Sequence, residues 1–205
     1  MFKILLLVFS FNLFLIIFNK KISKIYNLFD KPDFVRKIHK FPVPLLGGLF
    51  LILNLFLIIF INKYIFLVFN YNYFTEYELL VFLSSCLFFY LLGFYDDKYN
   101  LSANFKLSIM IIAILLLIFI DKNLLIKNLT FSFSESGLNL GIFSYFLTLL
   151  CFLLFINAFN MLDGINGQST SYLIFIFLIL ILKNVLVIFS ILMIINLIFF
   201  FDFKF

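Results

Sequence analysis

Seven apolar runs separated by short polar segments constrain this chain more than any other feature of its sequence. A helix that crosses a bilayer needs about 20 apolar residues, and several of these runs reach that length only with flanking residues. The chain is 65% hydrophobic and 12% charged, whereas soluble domains are about 45–50% apolar and ~25% charged. A water-soluble globular domain and a disordered chain are therefore both excluded. The runs are 2–19, 45–61, 79–94, 106–120, 142–159, 171–182 and 185–201.

These runs predict an all-α fold, a polytopic transmembrane helical bundle with about six or seven spans. We expect residues 1–205 to form a single integral-membrane domain. Segment 64–74 is apolar and aromatic but too short to cross, so it predicts an interfacial segment. Segment 129–140 alternates apolar and polar residues around Glu135-Ser136-Gly137. This pattern predicts a small extracytoplasmic β-hairpin with its turn at the glycine.

The basic residues indicate how the bundle is oriented. Segment 20–44 carries seven of the fifteen Lys and Arg residues, and the positive-inside rule therefore places it in the cytoplasm. The N-terminus is then outside, and the polar segments 95–105 and 160–170 are also cytoplasmic. The net charge of +5 is explained by this topology, and we expect no nucleic-acid partner.

The first cytoplasmic loop is basic and contains unusual prolines and glycines. The basic residues could serve only to hold this loop on the cytoplasmic side of the membrane. That role would not explain Pro42 and Pro44 followed by Gly47-Gly48. Proline cannot donate a backbone hydrogen bond and glycine permits close backbone approach, so the run suits a shaped loop over an anion. Arg36 and His39, the sole histidine, are the candidate phosphate contacts.

The second loop carries two adjacent carboxylates, Asp96 and Asp97, at the end of an apolar run. Each costs about 2.5–3.5 kcal/mol if submerged in the bilayer, so both are expected at the interface. One interpretation is helix termination with surface charge. The other is a Mg²⁺ site, because Mg²⁺ takes one or two carboxylates together with phosphate oxygens and water. Neighbouring residues on a helix face different ways, so one Asp would hold the metal while the other orients substrate or accepts a proton.

The third loop contains a polar ladder, in which Asn157, Asn160 and Asp163 recur every three residues. On a helical end these side chains lie along one face. Gly164 and Gly167 then break the helix, and a C-cap followed by a turn would explain the glycines alone. The amides and the carboxylate favour contact with a nucleoside or support of a metal.

The three polar loops are separated by two spans each, so they lie on one face of an alternating chain. They can meet in one cytoplasmic cleft, which predicts a Mg²⁺-dependent site for a phosphorylated, nucleotide-activated substrate. A transporter or channel is the rival hypothesis, because it requires polar groups inside the membrane. Polar residues within the spans are few and scattered, and examples are Asn12, Asn54, Ser84 and Ser85.

Segments Asp30–Gly48, Gly93–Leu107 and Asn157–Gly167 resemble, in order and spacing, the polyprenyl-phosphate N-acetylhexosamine-1-phosphate transferases of bacterial membranes. Within this family, the first loop is more similar to the N-acetylglucosaminyl-1-phosphate transferases than to the phospho-N-acetylmuramoyl-pentapeptide transferases. The resemblance implies an enzyme of the bacterial inner (plasma) membrane. A polyprenyl phosphate would attack a UDP-N-acetylhexosamine, giving a polyprenyl-diphosphate sugar and UMP.

The resemblance also implies residue roles. Asp96, Asp97 and Asp163 would be catalytic, and Asp97 and Asp163 would hold Mg²⁺ or, as the alternative ion, Mn²⁺. Six residues would contact the substrates, namely Arg36, His39, Lys106, Asn157, Asn160 and Asn166.

Three features depart from the family pattern. Asn166 stands where a second Asp is usual, and Leu45 stands where an Arg is common. The family is also usually much longer, and its later Gly-Asp-Ser-Gly segment and histidine-rich loop have no counterpart here. The resemblance therefore implies the N-terminal portion of a longer transferase, and we expect the 205-residue chain alone to be inactive. The alternative that the chain is a truncated, catalytically inactive membrane fragment stays open. Assembly into a homodimer also stays open.

Overall fold

The computed structural model describes residues 2–26, 29–30, 43–44, 46–65, 75–131, 134–162 and 168–201. Seven α-helices in these ranges confirm the predicted helical membrane fold. The helices are α1 (Phe2–Tyr26), α2 (Gly47–Tyr64), α3 (Glu76–Tyr99), α4 (Ala103–Ile120), α5 (Phe143–Leu162), α6 (Gln168–Leu182) and α7 (Val187–Phe201). The other elements are β1 (Phe29–Asp30), β2 (Val43–Pro44), β3 (Asn128–Phe131), β4 (Ser134–Asn139) and one 3₁₀ turn (Lys122–Leu124).

Each predicted apolar run falls on one helix. Four helices, α2 to α5, are long and apolar enough to cross a membrane, with mean hydropathies of 1.8 to 2.5. The other three contribute shorter apolar segments: Lys3–Asn19, Gln168–Leu182 and Val187–Phe199. Most of the predicted interfacial segment, 66–74, lies outside the described residues.

Helix α3 has well-defined ends, and these ends fix the position of its two aspartates. It begins at a capping box, in which the Glu78 backbone N–H donates to the Thr75 hydroxyl at 3.2 Å and the Thr75 N–H donates to the Glu78 carboxylate at 2.7 Å. It ends at Asn100, whose N–H donates to the Asp96 carbonyl at 2.8 Å and whose left-handed backbone (φ 51°) turns the chain out of the helix. Asp96 and Asp97 therefore lie in the last turn of a helix that stops sharply.

The helices pack in chain order around the bundle. Each helix from α2 to α6 contacts the next one, α7 returns to α2, and α1 packs against both α2 and α7. Ile4, Val8, Ile58, Ile61 and Leu192 form a buried cluster where α1, α2 and α7 meet. Van der Waals packing and interhelical hydrogen bonds, rather than the hydrophobic effect, hold such contacts together in lipid.

Three asparagines connect α1, α2 and α7 inside the bundle. Asn12, Asn54 and Asn196 are 4%, 1% and 2% exposed. Asn12 Nδ2 donates to Asn196 Oδ1 at 2.6 Å, and Asn54 Nδ2 donates to Asn12 Oδ1 at 3.0 Å. The expectation of scattered polar residues is thus wrong for Asn12 and Asn54, because side chains far apart in sequence meet where three helices cross.

The hairpin is present, but its turn is not where the glycine predicted it. Strands β3 and β4 are antiparallel, with Leu129 opposite Leu138 and Phe131 opposite Ser134. The chain therefore reverses between Phe131 and Ser134, and Gly137 lies within β4. The register shifts between Leu129 and Phe131, opposite the part of β4 that contains Gly137, so this glycine lies where the strand pairing is irregular and not at the turn.

Side-chain contacts around this hairpin define one end of the bundle. The Asn123 amide donates to Glu78 at 3.0 Å and ties the 3₁₀ turn after α4 to the start of α3. The Ser144 hydroxyl donates to the Ile126 carbonyl at 2.7 Å and ties the same segment to the start of α5. The end of α3, the start of α4 and the end of α5 consequently lie at the opposite end, which we call the site end.

Candidate functional site

The turn between α3 and α4 joins two of the predicted site residues. Lys106 Nζ lies 2.5 Å from Asp96 Oδ2, and the two side chains are 22% and 24% exposed. Only residues 100–102 separate the helices, so Lys106 near the start of α4 faces Asp96 in the last turn of α3. The ion pair thus places a fixed ammonium group at the site end.

Asp97 occupies a different environment from its neighbour. It is exposed, whereas Asp96 is partly buried, because consecutive helical residues point in different directions. Asp97 follows Tyr90 and Phe94 at the i, i+4, i+7 spacing, which places all three on one face of α3. The geometry therefore gives the two carboxylates different surroundings, as the sequence predicted.

The ends of the first loop come together beside α3. Arg36 and His39 lie outside the described residues. Strands β1 and β2 pair antiparallel, however, and so close the loop between them. Tyr26, the last residue of α1, contacts Phe94 of α3 edge to face, with ring centroids 6.3 Å apart. The basic loop therefore begins next to the helix that carries Asp96 and Asp97.

A small aromatic pocket lies where α1, α2 and α3 meet at this end. Its volume is about 210 Å³. Its lining residues are Tyr26, Leu46, Leu49, Tyr90, Leu91 and Phe94. Sequence reasoning missed this pocket, although the spacing of Tyr90, Phe94 and Asp97 along one helical face was a signal for it.

Of the four predicted site residues in the third loop, the structure describes Asn157 and Asn160. Asn157 and Asn160 are exposed near the end of α5, three residues apart and thus on one face. The Asn157 amide donates to the Leu153 carbonyl of its own helix at 2.9 Å. Asp163 and Asn166 lie outside the described residues.

The structure thus joins some of the predicted site residues and leaves others apart. Helix α5 packs on α4, so Asn157 and Asn160 belong to the same end of the bundle as Lys106. Among the described residues, the ion pair of Asp96 with Lys106 is one direct contact between predicted site residues.

The described part of the chain contains no cluster of three or more His, Cys, Asp or Glu residues that could hold a metal ion. Asp163, the second predicted metal ligand, falls outside it. The exposed carboxylate of Asp97 is nevertheless the kind of ligand that Mg²⁺ takes, and Mg²⁺ needs only one or two of these beside phosphate oxygens and water. The donor chemistry at the site end therefore fits this ion.

Part of the chain matches a known protein family. The model of the family described as glycosyl transferase family 4 matches residues 79–204, which is more than half of the chain. The matched range includes the two aspartates, Lys106 and both placed asparagines.

Curated relatives match a similar part of the chain. An undecaprenyl-phosphate alpha-N-acetylglucosaminyl 1-phosphate transferase of Escherichia coli O157:H7 is 32% identical over 164 residues, which are 80% of this chain and 41% of the relative. Proteins of the same description from Salmonella typhimurium (strain LT2) and Yersinia pestis are 31% and 27% identical, again over 41% of their length. The chain therefore spans about two fifths of these relatives. No solved structure matches it significantly.

Proposed function

This chain belongs to glycosyl transferase family 4, and we propose that the protein containing it transfers N-acetylglucosamine 1-phosphate from a UDP-sugar to a polyprenyl phosphate. The family membership that the three motifs predicted is confirmed. Because the chain covers 41% of its relatives, the transfer is proposed for the protein that contains it. The products are a polyprenyl-diphosphate sugar and UMP.

The observation that carries this proposal is the ion pair of Lys106 and Asp96 beside the exposed Asp97. In the reaction an oxygen of the lipid phosphate forms a bond to the β-phosphorus of the UDP-sugar. The bond from that phosphorus to the bridging oxygen breaks, and UMP leaves with the bond's electrons. Catalysis of such a displacement consists mainly of positioning and neutralisation of charge.

Lys106 suits the neutralising role. Asp96 holds its ammonium group at a fixed place near the start of α4, so the group needs little reorganisation when an anion arrives. An ammonium keeps two further N–H donors when one is used by Asp96. We therefore assign Lys106 to the phosphates and Asp96 to the positioning of Lys106.

Asp97 suits the metal-binding role, because its carboxylate is exposed at the same end. Asp97 and, from outside the described residues, Asp163 would hold Mg²⁺, which when bound would neutralise charge on the phosphates. Arg36 and His39 would contact phosphate from the basic loop. Mn²⁺ is the alternative ion.

The exposed amides of Asn157 and Asn160 suit the nucleotide, since an amide can donate and accept hydrogen bonds to a uracil ring or ribose. Asn166 would extend this set. We place the site end at the cytoplasmic face of the bacterial inner membrane, because the basic loop opens from it. A homodimer is compatible with this arrangement.

The experiment is a transfer assay in membranes that hold the whole protein of which this chain is part, with radiolabelled UDP-N-acetylglucosamine and added polyprenyl phosphate. The expected result is a labelled lipid and an equal amount of UMP, both dependent on the lipid phosphate and on Mg²⁺. Absence of labelled lipid from membranes in which the protein is folded and abundant would contradict the proposal.

A further inference from the structure

The β3–β4 hairpin has one apolar face and one polar face. Leu129 lies opposite Leu138 in the strand register, and residues that are directly opposite in an antiparallel pair lie on the same face. Asn128 lies opposite Asn139, and this second pair lies on the other face because successive residues of a strand alternate. Leu138 is 55% exposed and Phe131, at the end of β3, is 43% exposed. The described part of the bundle therefore leaves the apolar face largely uncovered.

The segment that leads into the hairpin lies beside the first turns of α5. The Ile126 backbone N–H donates to the Thr148 hydroxyl at 2.9 Å, and the Ser144 hydroxyl donates to the Ile126 carbonyl at 2.7 Å. Thr148 is the sixth residue of α5, so it lies about 7.5 Å along the helix axis from the start of α5. The hairpin consequently begins alongside this helix and not beyond its end.

The depth of this segment in the membrane follows from the length of α5. The apolar span Phe143–Met161 contains 19 residues, and at a rise of 1.5 Å per residue it is about as long as the ~30 Å hydrocarbon core is thick. The start of α5 therefore lies at the boundary of that core, and the backbone of Ile126 lies at or below this boundary. Lipid offers no hydrogen bonds to a backbone at this depth, and the buried hydroxyls of Ser144 and Thr148 supply them.

Apolar side chains next to the hairpin are exposed at the same level. Ile142, between β4 and α5, is 91% exposed, and Phe143 and Phe146 in the first turn of α5 are each 56% exposed. An exposed apolar surface rimmed by polar residues is typical of contact with a membrane or with another protein. The position of this surface at the boundary of the hydrocarbon core favours lipid.

Two exposed lysines lie beside this surface. Lys122 is in the 3₁₀ turn after α4, and Lys127 immediately precedes β3. The nearby carboxylates of Asp121 and Glu78 are engaged by Asn123, whose backbone N–H donates to Asp121 at 2.9 Å and whose amide donates to Glu78 at 3.0 Å. A lysine can lay its apolar stem along lipid while its ammonium group reaches the headgroups, where phosphates carry the complementary charge.

We propose that the hairpin is a membrane anchor whose apolar face inserts among phospholipids beside α5, with Lys122 and Lys127 on the lipid phosphates. The leaflet is the one at the hairpin end, which is the end of the bundle opposite the site end. The hairpin lies in the interfacial layer and not in the hydrocarbon core, because the outer edges of a two-stranded sheet need water as a hydrogen-bond partner. The anchor uses no residue of the candidate site and is independent of the proposed function.

The test is photo-crosslinking in membranes that hold the whole protein of which this chain is part, with p-benzoylphenylalanine in place of Leu138. The expected product is an adduct with phospholipid, identified by mass spectrometry. Leu138 is more than half exposed, so the probe needs no space in the core.

The matched control carries the same probe in place of Asn128, which is exposed on the polar face of the neighbouring strand. Its yield of lipid adduct should be about tenfold lower, because only the apolar face of an interfacial element enters the acyl boundary. Equal lipid yields from the two positions would overturn the proposal. Adducts at position 138 with a second copy of the protein, or with another segment of the same polypeptide, would also overturn it, because protein would then cover the apolar face.

The lysines are tested in bilayers of equal parts phosphatidylglycerol and phosphatidylcholine. Among adducts at position 138, phosphatidylglycerol should exceed phosphatidylcholine about fivefold, because basic residues at the surface attract anionic lipids. The double substitution Lys122→Gln with Lys127→Gln should remove this excess. Lys183→Gln, in the exposed turn after α6, is the control and should retain it. An excess that survives the double substitution would overturn the assignment of the two lysines to lipid phosphates.

Discussion

The ammonium nitrogen of Lys106 lies 2.5 Å from a carboxylate oxygen of Asp96, across the turn that joins α3 to α4. This contact distinguishes two adjacent aspartates that are chemically identical in sequence. Asp96 is partly buried and pairs with Lys106, and Asp97 is exposed at the site end. Distinct roles for the two carboxylates follow from their surroundings.

Lys106→Met should lower kcat for sugar-phosphate transfer by about 10²–10³, the cost of removing one preorganised charge-stabilising donor. Lys106→Arg should retain part of the activity, since it keeps the charge but changes the geometry. UMP release at saturating substrates measures both. Stability should change by no more than about 1 kcal/mol, because the pair is partly solvated.

The matched control is a second ion pair at the other end of the bundle. Lys63 Nζ lies 2.5 Å from Glu76 Oε2, so Lys63→Met breaks a pair of the same kind away from the site end. Its kcat should be unchanged. If Lys63→Met and Lys106→Met lose activity equally, the loss reflects general damage to the bundle and not the assigned role of Lys106.

Asp97→Asn should raise the Mg²⁺ concentration needed for half-maximal activity, because a neutral amide is a poorer ligand than a carboxylate. The thermal midpoint in detergent should not change, since the side chain is exposed. A Mg²⁺ titration of UMP release measures the effect. The control is Glu76→Gln, which neutralises an exposed carboxylate at the start of the same helix and should leave the Mg²⁺ titration unchanged. An unaltered titration curve for Asp97→Asn would refute the assignment of Asp97 to the metal.

Asn160→Ala should raise KM for the UDP-sugar about fivefold, equivalent to one hydrogen bond of ~1 kcal/mol. KM for the polyprenyl phosphate should stay the same, because the amide is assigned to the nucleotide. Steady-state kinetics with each substrate varied in turn measure this. The control is Asn123→Ala at the hairpin end. If Asn160→Ala raised only the KM for the polyprenyl phosphate, the assignment of Asn160 to the nucleotide would be contradicted.

Asn12→Leu should destabilise the bundle by about 1 kcal/mol, because it removes both interhelical hydrogen bonds of the asparagine cluster, each worth ~0.6 kcal/mol in a membrane. Thermal unfolding in detergent measures the change. Ser85→Ala is the control, since the Ser85 hydroxyl bonds within its own helix to the Phe82 carbonyl at 2.7 Å. Equal midpoints for Asn12→Leu and the unmodified protein would show that the cluster does not stabilise the bundle.

The sequence predicts the helices well because the bilayer sets their length and apolar character. It predicts the hairpin by alternation but misplaces the turn, since a glycine such as Gly137 suits a bulge as well as a turn. The sequence identifies Asp96 and Lys106 as site residues, but it does not predict that they are in contact. That contact depends on the left-handed backbone of Asn100, which ends α3. Asn196 gives no signal by itself, because a single amide in an apolar run does not reveal its partner.

The most direct test of the central claim follows the β-phosphorus of the donor. Membranes that contain the protein are given UDP-N-acetylglucosamine labelled at that atom, together with polyprenyl phosphate. Transfer of sugar 1-phosphate predicts that the label enters the lipid while unlabelled UMP is released, and that Lys106→Met lowers the rate of both by about 10²–10³. Label that stays in UDP while sugar reaches the lipid would contradict the claim, because the bond broken would then be the glycosidic one.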